Sequence, residues 1–138
     1  MKYSLAVDIG ASSGRHIVGW KEEGAIRTEE VWRFPNGVSE KDGSLTWDLA
    51  ALEANVRAGI DRALERFPEI ETLSVDTWGV DYVLLRGGEP VLPCYAYRNA
   101  RTNAVISEVH ERMPFRSCTA VRGFSFSLSI QFISCTRI

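Results

Sequence analysis

The sequence predicts an α/β domain with a mixed β-sheet. Three observations carry that expectation. The N-terminal stretch "KYSLAVDIG" alternates apolar and polar residues with the period of a strand. One long amphipathic pattern follows Asp48. Strand periodicity returns directly after it, in "IETLSVDTWG". Strands mixed with a long helix suggest helices flanking a mixed sheet. The 138 residues, 45% hydrophobic and 25% charged, suit one ordinary globular domain.

Taken in order, Leu5, Val7 and Ile9 of the first strand point one way, Ala6 and Asp8 the other. "GRHIVGWKEEG" and "IRTEEVWRF" read as two further strands, joined at "KEEGA", where Gly24 can supply a hairpin turn. "PNGVSEKDGS" is rich in turn residues and is expected to be a loop. Asp48 is placed to cap a helix. Leu49, Leu52, Val56, Ile60, Leu64 and Phe67 then recur at three- and four-residue spacing until Pro68 stops the pattern. "VDYVLLRGGEPV" reads as a strand running into a turn, "CYAYRN" as a short extended piece, and "RTNAVISEVHERM" as a helix with Val105, Ile106, Val109 and Met113 on one side. There is no internal repeat.

The bulk properties exclude several classes. A net charge of -2 argues against non-specific nucleic-acid binding. No apolar run has the length of a membrane span, and the start lacks a signal-peptide pattern. Cys94, Cys118 and Cys135 form neither a metal nor a disulfide pattern, so a reduced, cytoplasmic protein is expected. His16 and His110 lack metal-ligand partners at useful spacing; His16 is expected in a strand and His110 on a solvated helix face. From Arg112 to Ile138 the composition changes: four arginines, no lysine, aspartate or glutamate, five serines and two of the three cysteines.

Three clusters carry chemistry. In "VDIGASSGRH", Asp8 ends a strand, where its hard carboxylate oxygens can hold a hydrated divalent cation. Gly10 and Gly14 permit a tight turn, and backbone N–H groups with the hydroxyls of Ser12 and Ser13 can cradle phosphate oxygens. Arg15 can add charge to a transferring phosphoryl group. The plain alternative is a polar hairpin with Asp8 as a turn residue. In "VDTWGVDYVLL", Trp78 can stack on a sugar face, Gly79 lets a ligand approach the backbone, and Asp81 can accept hydroxyl hydrogens. Equally, Trp78 can be a core residue; Trp32 and Trp47 are expected to be core or interface residues. In "YRNARTN", Arg98 and Arg101 bracket Asn99 and can fix sugar hydroxyls; otherwise this is a loop before a helix capped by Asn99 or Thr102.

Together, "AVDIGASSGR", "RFPNGV", "DGSLTWD", "VDTWGVDYVLL" and "YRNARTN" resemble the N-terminal part of the FGGY carbohydrate kinases, in order and at family spacing, over roughly residues 3–113. The resemblance implies an actin-like, ribonuclease-H-like lobe that is incomplete here. "ASSGR" and "DTWGVD" resemble members that use MgATP to phosphorylate L-rhamnulose at its 1-hydroxyl. By that resemblance, Asp8, Ala11, Ser12, Ser13, Gly14 and Arg15 bind ATP phosphates, Asp8 standing next to the Mg2+. Gly79 matches a substrate-contact position of the family, and Trp78, Asp81 and Arg98, from the readings above, are assigned with it to the sugar. Asn99 departs from the acid more usual in "YRDxRT". By the resemblance, family members are about three times longer and place the site between two lobes. No catalytic residue is expected within this stretch, because the general-base aspartate belongs beyond residue 138.

The resemblance also implies two parts: a kinase lobe over 1–113 and an aberrant tail over 114–138, frameshifted and poorly packed. The family has a segment like "ELYRRTGIQF-PFNTIYQLYA" at this distance beyond "YRxxRT". With freely chosen codons read one base earlier, "SCTAVRG" becomes Glu-Leu-Tyr-Arg-Arg-Thr-Gly and "SIQFISCTR" becomes Phe-Asn-Thr-Ile-Tyr-Gln-Leu-Tyr-Ala. The alternative is a genuine divergent tail ending in a strand. Two function classes follow: part of a sugar kinase inactive by itself, or a non-catalytic remnant or actin-like nucleotide-binding domain.

Overall fold

The computed structural model describes residues 2–113. The tail, with its expected frameshift and its strand-like "GFSFSLSIQF", lies outside the described residues. In chain order the elements are β1 (Tyr3–Ile9), β2 (Ser13–Glu22), β3 (Ala25–Pro35), β4 (Val38–Lys41), β5 (Ser44–Trp47), α1 (Leu49–Arg66), β6 (Ile70–Thr77), β7 (Leu85–Arg86), β8 (Glu89–Pro90), β9 (Cys94–Tyr95), a 3-10 helix (Ala100–Val105) and α2 (Ile106–Arg112). They fall into two compact units. The first comprises residues 2–38 and Asp48–Gly79; the second comprises Ser39–Trp47 and 80–113.

The first unit is a four-stranded sheet in the order β3-β2-β1-β6. β1 pairs antiparallel with β2 and parallel with β6, so the sheet is mixed, as the sequence predicts. The β2–β3 connection turns on Glu23 and Gly24, both left-handed at φ 49° and 82°, the geometry of a two-residue hairpin. Leu5, Val7, Ile9 and Val18 form the buried face with Ala63 of α1, and Leu52, Val56, Ile60, Phe67 and Trp78 pack around them. Burying each large aliphatic side chain there contributes about 1.5–3 kcal/mol.

Helix α1 begins where the sequence places it. The Asp48 Oδ1 accepts from the Ala51 N–H at 2.9 Å. Leu52, Val56, Ile60 and Phe67 of the expected stripe pack against the core beside the buried Gly59 and Ala63, whereas Leu64 is 44% exposed. The His16 ring is fully buried on β2, directly beneath Gly59, where an added Cβ would lie 2.3 to 2.5 Å from three ring atoms. Only a glycine lets the helix approach a sheet carrying that ring.

In the second unit, β5 lies between β4 and β9. The expected loop over "PNGVSEKDGS" is instead largely a hairpin, β4 to β5. Asp42 and Gly43 turn it, with φ 52° and 71°. Asp-Gly is a strong hairpin pair, but all four β4 residues are exposed, so no alternation marks the strand. "VDYVLLRGGEPV" also differs from expectation: residues 78–84 are irregular, and only a short β7–β8 hairpin forms across Gly87 and Gly88. The single helix expected near the end is a 3-10 helix followed by α2. Asn99, rather than Thr102, caps it, its Oδ1 accepting from the Arg101 N–H at 2.8 Å.

Candidate functional site

The turn between β1 and β2 gathers every residue assigned to phosphate. The register sets Asp8 opposite Arg15 and Ile9 opposite Gly14. The Gly10 N–H closes the turn on the Ser13 carbonyl at 2.9 Å. Glycine is needed here for a reason different from the expected one. Neither Gly10 nor Gly14 has a positive φ. Close approach decides instead: an added Cβ at Gly10 would sit 2.9 Å from the Ser13 carbonyl oxygen, and one at Gly14 would meet the buried Phe34 ring at 2.1 to 2.8 Å. Asn36, just past β3, reaches both arms of the turn. Its Nδ2 donates to the Gly10 carbonyl at 2.8 Å, and its backbone N–H donates to the Ser12 carbonyl at 3.0 Å.

Asp8 and Arg15 do not stand apart as separate cation and anion ligands. The Arg15 Nε and Nη2 both lie 2.8 Å from the Asp8 Oδ2. Both side chains are nearly half exposed, so the pair is open to exchange with an incoming charged ligand. On the other side of β1, the parallel register sets Asp76 of β6 beside Asp8, on the same face of the sheet. Asp76 is given no role by the sequence analysis. Its signal was an acid at the end of a second apolar strand, and pairing that strand with β1 makes it a neighbour of Asp8. On β3, Arg33 forms a two-point contact with Glu30, which holds the Glu30 carboxyl below and the Arg33 guanidinium above their ordinary ranges.

The sugar-side residues divide between the units. Trp78 and Gly79 belong to the first, Asp81 and Arg98 to the second. Trp78 is partly buried against the sheet core, so in this structure its ring serves packing. A Cβ at Gly79 would meet nothing within 4 Å, which leaves open space at that backbone position. The Asp81 Oδ2 accepts from the buried Trp47 indole N–H at 2.8 Å. Arg98 folds over Tyr97, its Nε donating to the phenol oxygen at 2.8 Å. Asn99 is buried and caps its helix, the plain alternative read from the sequence. Arg101 stacks on Tyr95 and donates to the Tyr82 hydroxyl at 3.0 Å. Beside them, Leu84, Val91, Leu92 and Pro93 help line a cavity of about 180 Å3.

Burial pushes the Cys94 thiol up, away from reactive thiolate. Among the described residues there is no group of three potential metal ligands, and no helix is long and apolar enough to cross a membrane.

No family model matches the sequence. A rhamnulokinase from Halalkalibacterium halodurans is 43% identical over 113 residues, covering 81% of this chain and 24% of that protein. Among solved structures, a xyloylose kinase from Brucella ovis superposes with a TM-score of 0.60 at 19% identity, over 85% of this chain and 25% of that one. A gluconate kinase from Lactobacillus acidophilus gives 0.55 at 12% identity, over 80% and 23%. The fold is the actin-like fold of the FGGY carbohydrate kinases, present in part, and the aligned sequence is rhamnulokinase-like. The chain spans about a quarter of the length of these relatives.

Proposed function

We propose that the chain is part of an ATP-dependent sugar kinase that phosphorylates L-rhamnulose to L-rhamnulose 1-phosphate, a cytoplasmic step of L-rhamnose catabolism. The observation that carries this is the β1–β2 turn, where Asp8, Ser12, Ser13 and Arg15 converge at the end of a parallel strand pair. Ligands of α/β sheets sit at such strand ends. The 43% identity to a rhamnulokinase supports the choice of sugar.

Backbone N–H groups over Ala11–Ser13 and the two serine hydroxyls would face the phosphate oxygens. Arg15 would leave Asp8 for the transferring phosphoryl group, and Asp8 would then offer its carboxylate to Mg2+. Asp8 suits that ion, being a half-exposed hard-oxygen donor whose present partner is an exchangeable cation. When bound, the ion neutralises phosphate charge. Trp78, Gly79, Asp81 and Arg98 would contribute to the sugar side. Transfer forms a bond between the sugar 1-oxygen and the γ-phosphorus, breaks the bond to the β,γ-bridging oxygen, and sends the hydroxyl proton to an aspartate expected beyond residue 138.

Two measurements on the purified chain test this. MgATP is expected to bind, and Asp8→Ala to weaken binding about tenfold or more, the scale of a lost charged contact, while His110→Ala leaves it unchanged. Equal effects of the two substitutions would sink the phosphate-turn assignment. Mixing the chain with ATP and L-rhamnulose is expected to release no ADP above background, since loss of general-base help alone typically costs about 100- to 10,000-fold. Sugar-dependent ADP release would show that the chain holds a complete catalytic set.

A further inference from the structure

"RFPNGV" has no part in the roles assigned above, yet its Asn36 is the residue most closely tied to the phosphate turn. We infer that Asn36 is a positioning residue for nucleotide phosphates, which rests on the assignment of Gly10–Arg15 as their cradle. Pro35 ends β3, and the residue after it turns its side chain back across the sheet. The Asn36 Nδ2 holds the Gly10 carbonyl at 2.8 Å, and its backbone N–H holds the Ser12 carbonyl at 3.0 Å.

Peptide planarity gives these two bonds their consequence. In a trans peptide the C=O and the following N–H point in opposite directions. Fixing the Gly10 carbonyl toward Asn36 therefore turns the Ala11 N–H the other way. Fixing the Ser12 carbonyl does the same to the Ser13 N–H. Two carbonyl oxygens that would repel a phosphate are held toward Asn36, and the Ala11 and Ser13 N–H groups are turned away from it, where the inference places the phosphate oxygens. A side-chain amide is required at this position. Aspartate has the same size but only accepts, so it would repel the Gly10 carbonyl and add negative charge beside the cradle. Gly37 next door has no such role, because a Cβ there meets nothing within 4 Å.

The test is hydrogen–deuterium exchange of the peptide covering residues 8–16 in the 138-residue chain, titrated with MgATP and separately with inorganic tripolyphosphate, beside a thermal melt of each variant. In the wild type, both probes are expected to slow exchange. Asn36→Ala is expected to speed exchange of this peptide without ligand. It should also raise the MgATP concentration for half-protection about three- to tenfold, the loss of one to two hydrogen bonds. Asn36→Asp should raise it further, in a manner that shrinks as salt is added. Gly37→Ala should match the wild type. Should Asn36→Ala fail to fold, Asn36→Ser, which keeps a donor, replaces it in the comparison with Asn36→Asp. A lower melting point with unchanged half-protection would overturn the positioning role and leave the phosphate turn intact. No protection of the wild type by either probe would overturn the phosphate turn itself, and this inference with it.

Discussion

His16 ties three elements together through one ring. Its Nε2 lies 3.0 Å from the Val56 carbonyl of α1. A carbonyl can only accept, so Nε2 carries the proton and donates. Nδ1 is then a bare acceptor, and it finds no partner among the described residues. The ring also meets Phe34 of β3 at a centroid distance of 6.1 Å. Protonating Nδ1 would place a charge and an unpaired donor in the packed layer between sheet and helix, and desolvation accordingly lowers the His16 pKa from its ordinary value. The stability consequence follows from linkage. The unfolded ring takes up a proton near pH 6.5 and the folded ring only at lower pH. Between those values the unfolded state binds more protons, so stability rises with pH and is lost as pH falls from 6.5 toward the folded pKa. The expected result is a melting temperature that declines as pH drops from about 7 to about 5. His16→Gln, which keeps a donor toward Val56 and does not titrate, should flatten that slope. Glu30, held low by Arg33, contributes in a separate window, losing its stabilisation only as pH falls below its ordinary carboxylate value. A slope in His16→Gln equal to the wild type's would rule out His16 as its source.

Elements differ in how much of their cause is local. Asp48 caps α1 with its own side chain, and the sequence alone locates it. Asp48→Ala should lower stability by about 1 kcal/mol, as lost N-caps do. Val75→Thr is the comparator: β6 is the edge strand of its sheet and Val75 is 53% exposed, so the change should stay within about 0.5 kcal/mol. Chemical denaturation of both variants checks the pair, and a cost at Val75 as large as at Asp48 would mean that β6 is covered in solution. The same division explains what could be read in advance. Strand alternation in β1, the Glu23–Gly24 turn and the Asp48 cap depend on neighbours in sequence, and all three were legible. The close approach of α1 at Gly59 was not, because it depends on His16, 43 positions earlier. The β4–β5 hairpin was missed because a fully exposed strand has no alternation, although Asp42–Gly43 did announce its turn. At the candidate site, the residues of the β1–β2 turn were legible as a group. Their ion pair, the Asn36 clamp and the register that seats Asp76 beside Asp8 come from strand pairing, which spacing does not encode.

At the scale of the whole molecule, the chain covers 24% of the rhamnulokinase it matches, and the match takes in 113 residues. The composition changes near that length: from Arg112 to Ile138 there is no lysine, aspartate or glutamate, in a chain that is 25% charged overall. A selected surface keeps its acids and lysines, whereas a shifted reading frame has no reason to. The frameshift proposal makes this specific. Read one base earlier, the codons for "SCTAVRG" and for "SIQFISCTR" can both spell family-like sequence, and they do so in a single phase on either side of "FSFSL". Codon degeneracy favours each match separately but does not force the two phases to agree. The gene is therefore expected to have, in the phase one base earlier, an open frame. That frame should overlap the bases encoding Ser117–Ile138 and run on through the remaining length of a sugar kinase, including an aspartate suited to act as the general base. A precursor restored to that frame should gain sugar-dependent ADP release where the 138-residue chain has none. Sequencing the locus decides the matter: stop codons in the shifted phase within the tail, or bases there that cannot encode the family-like segments, would establish the tail as the chain's own.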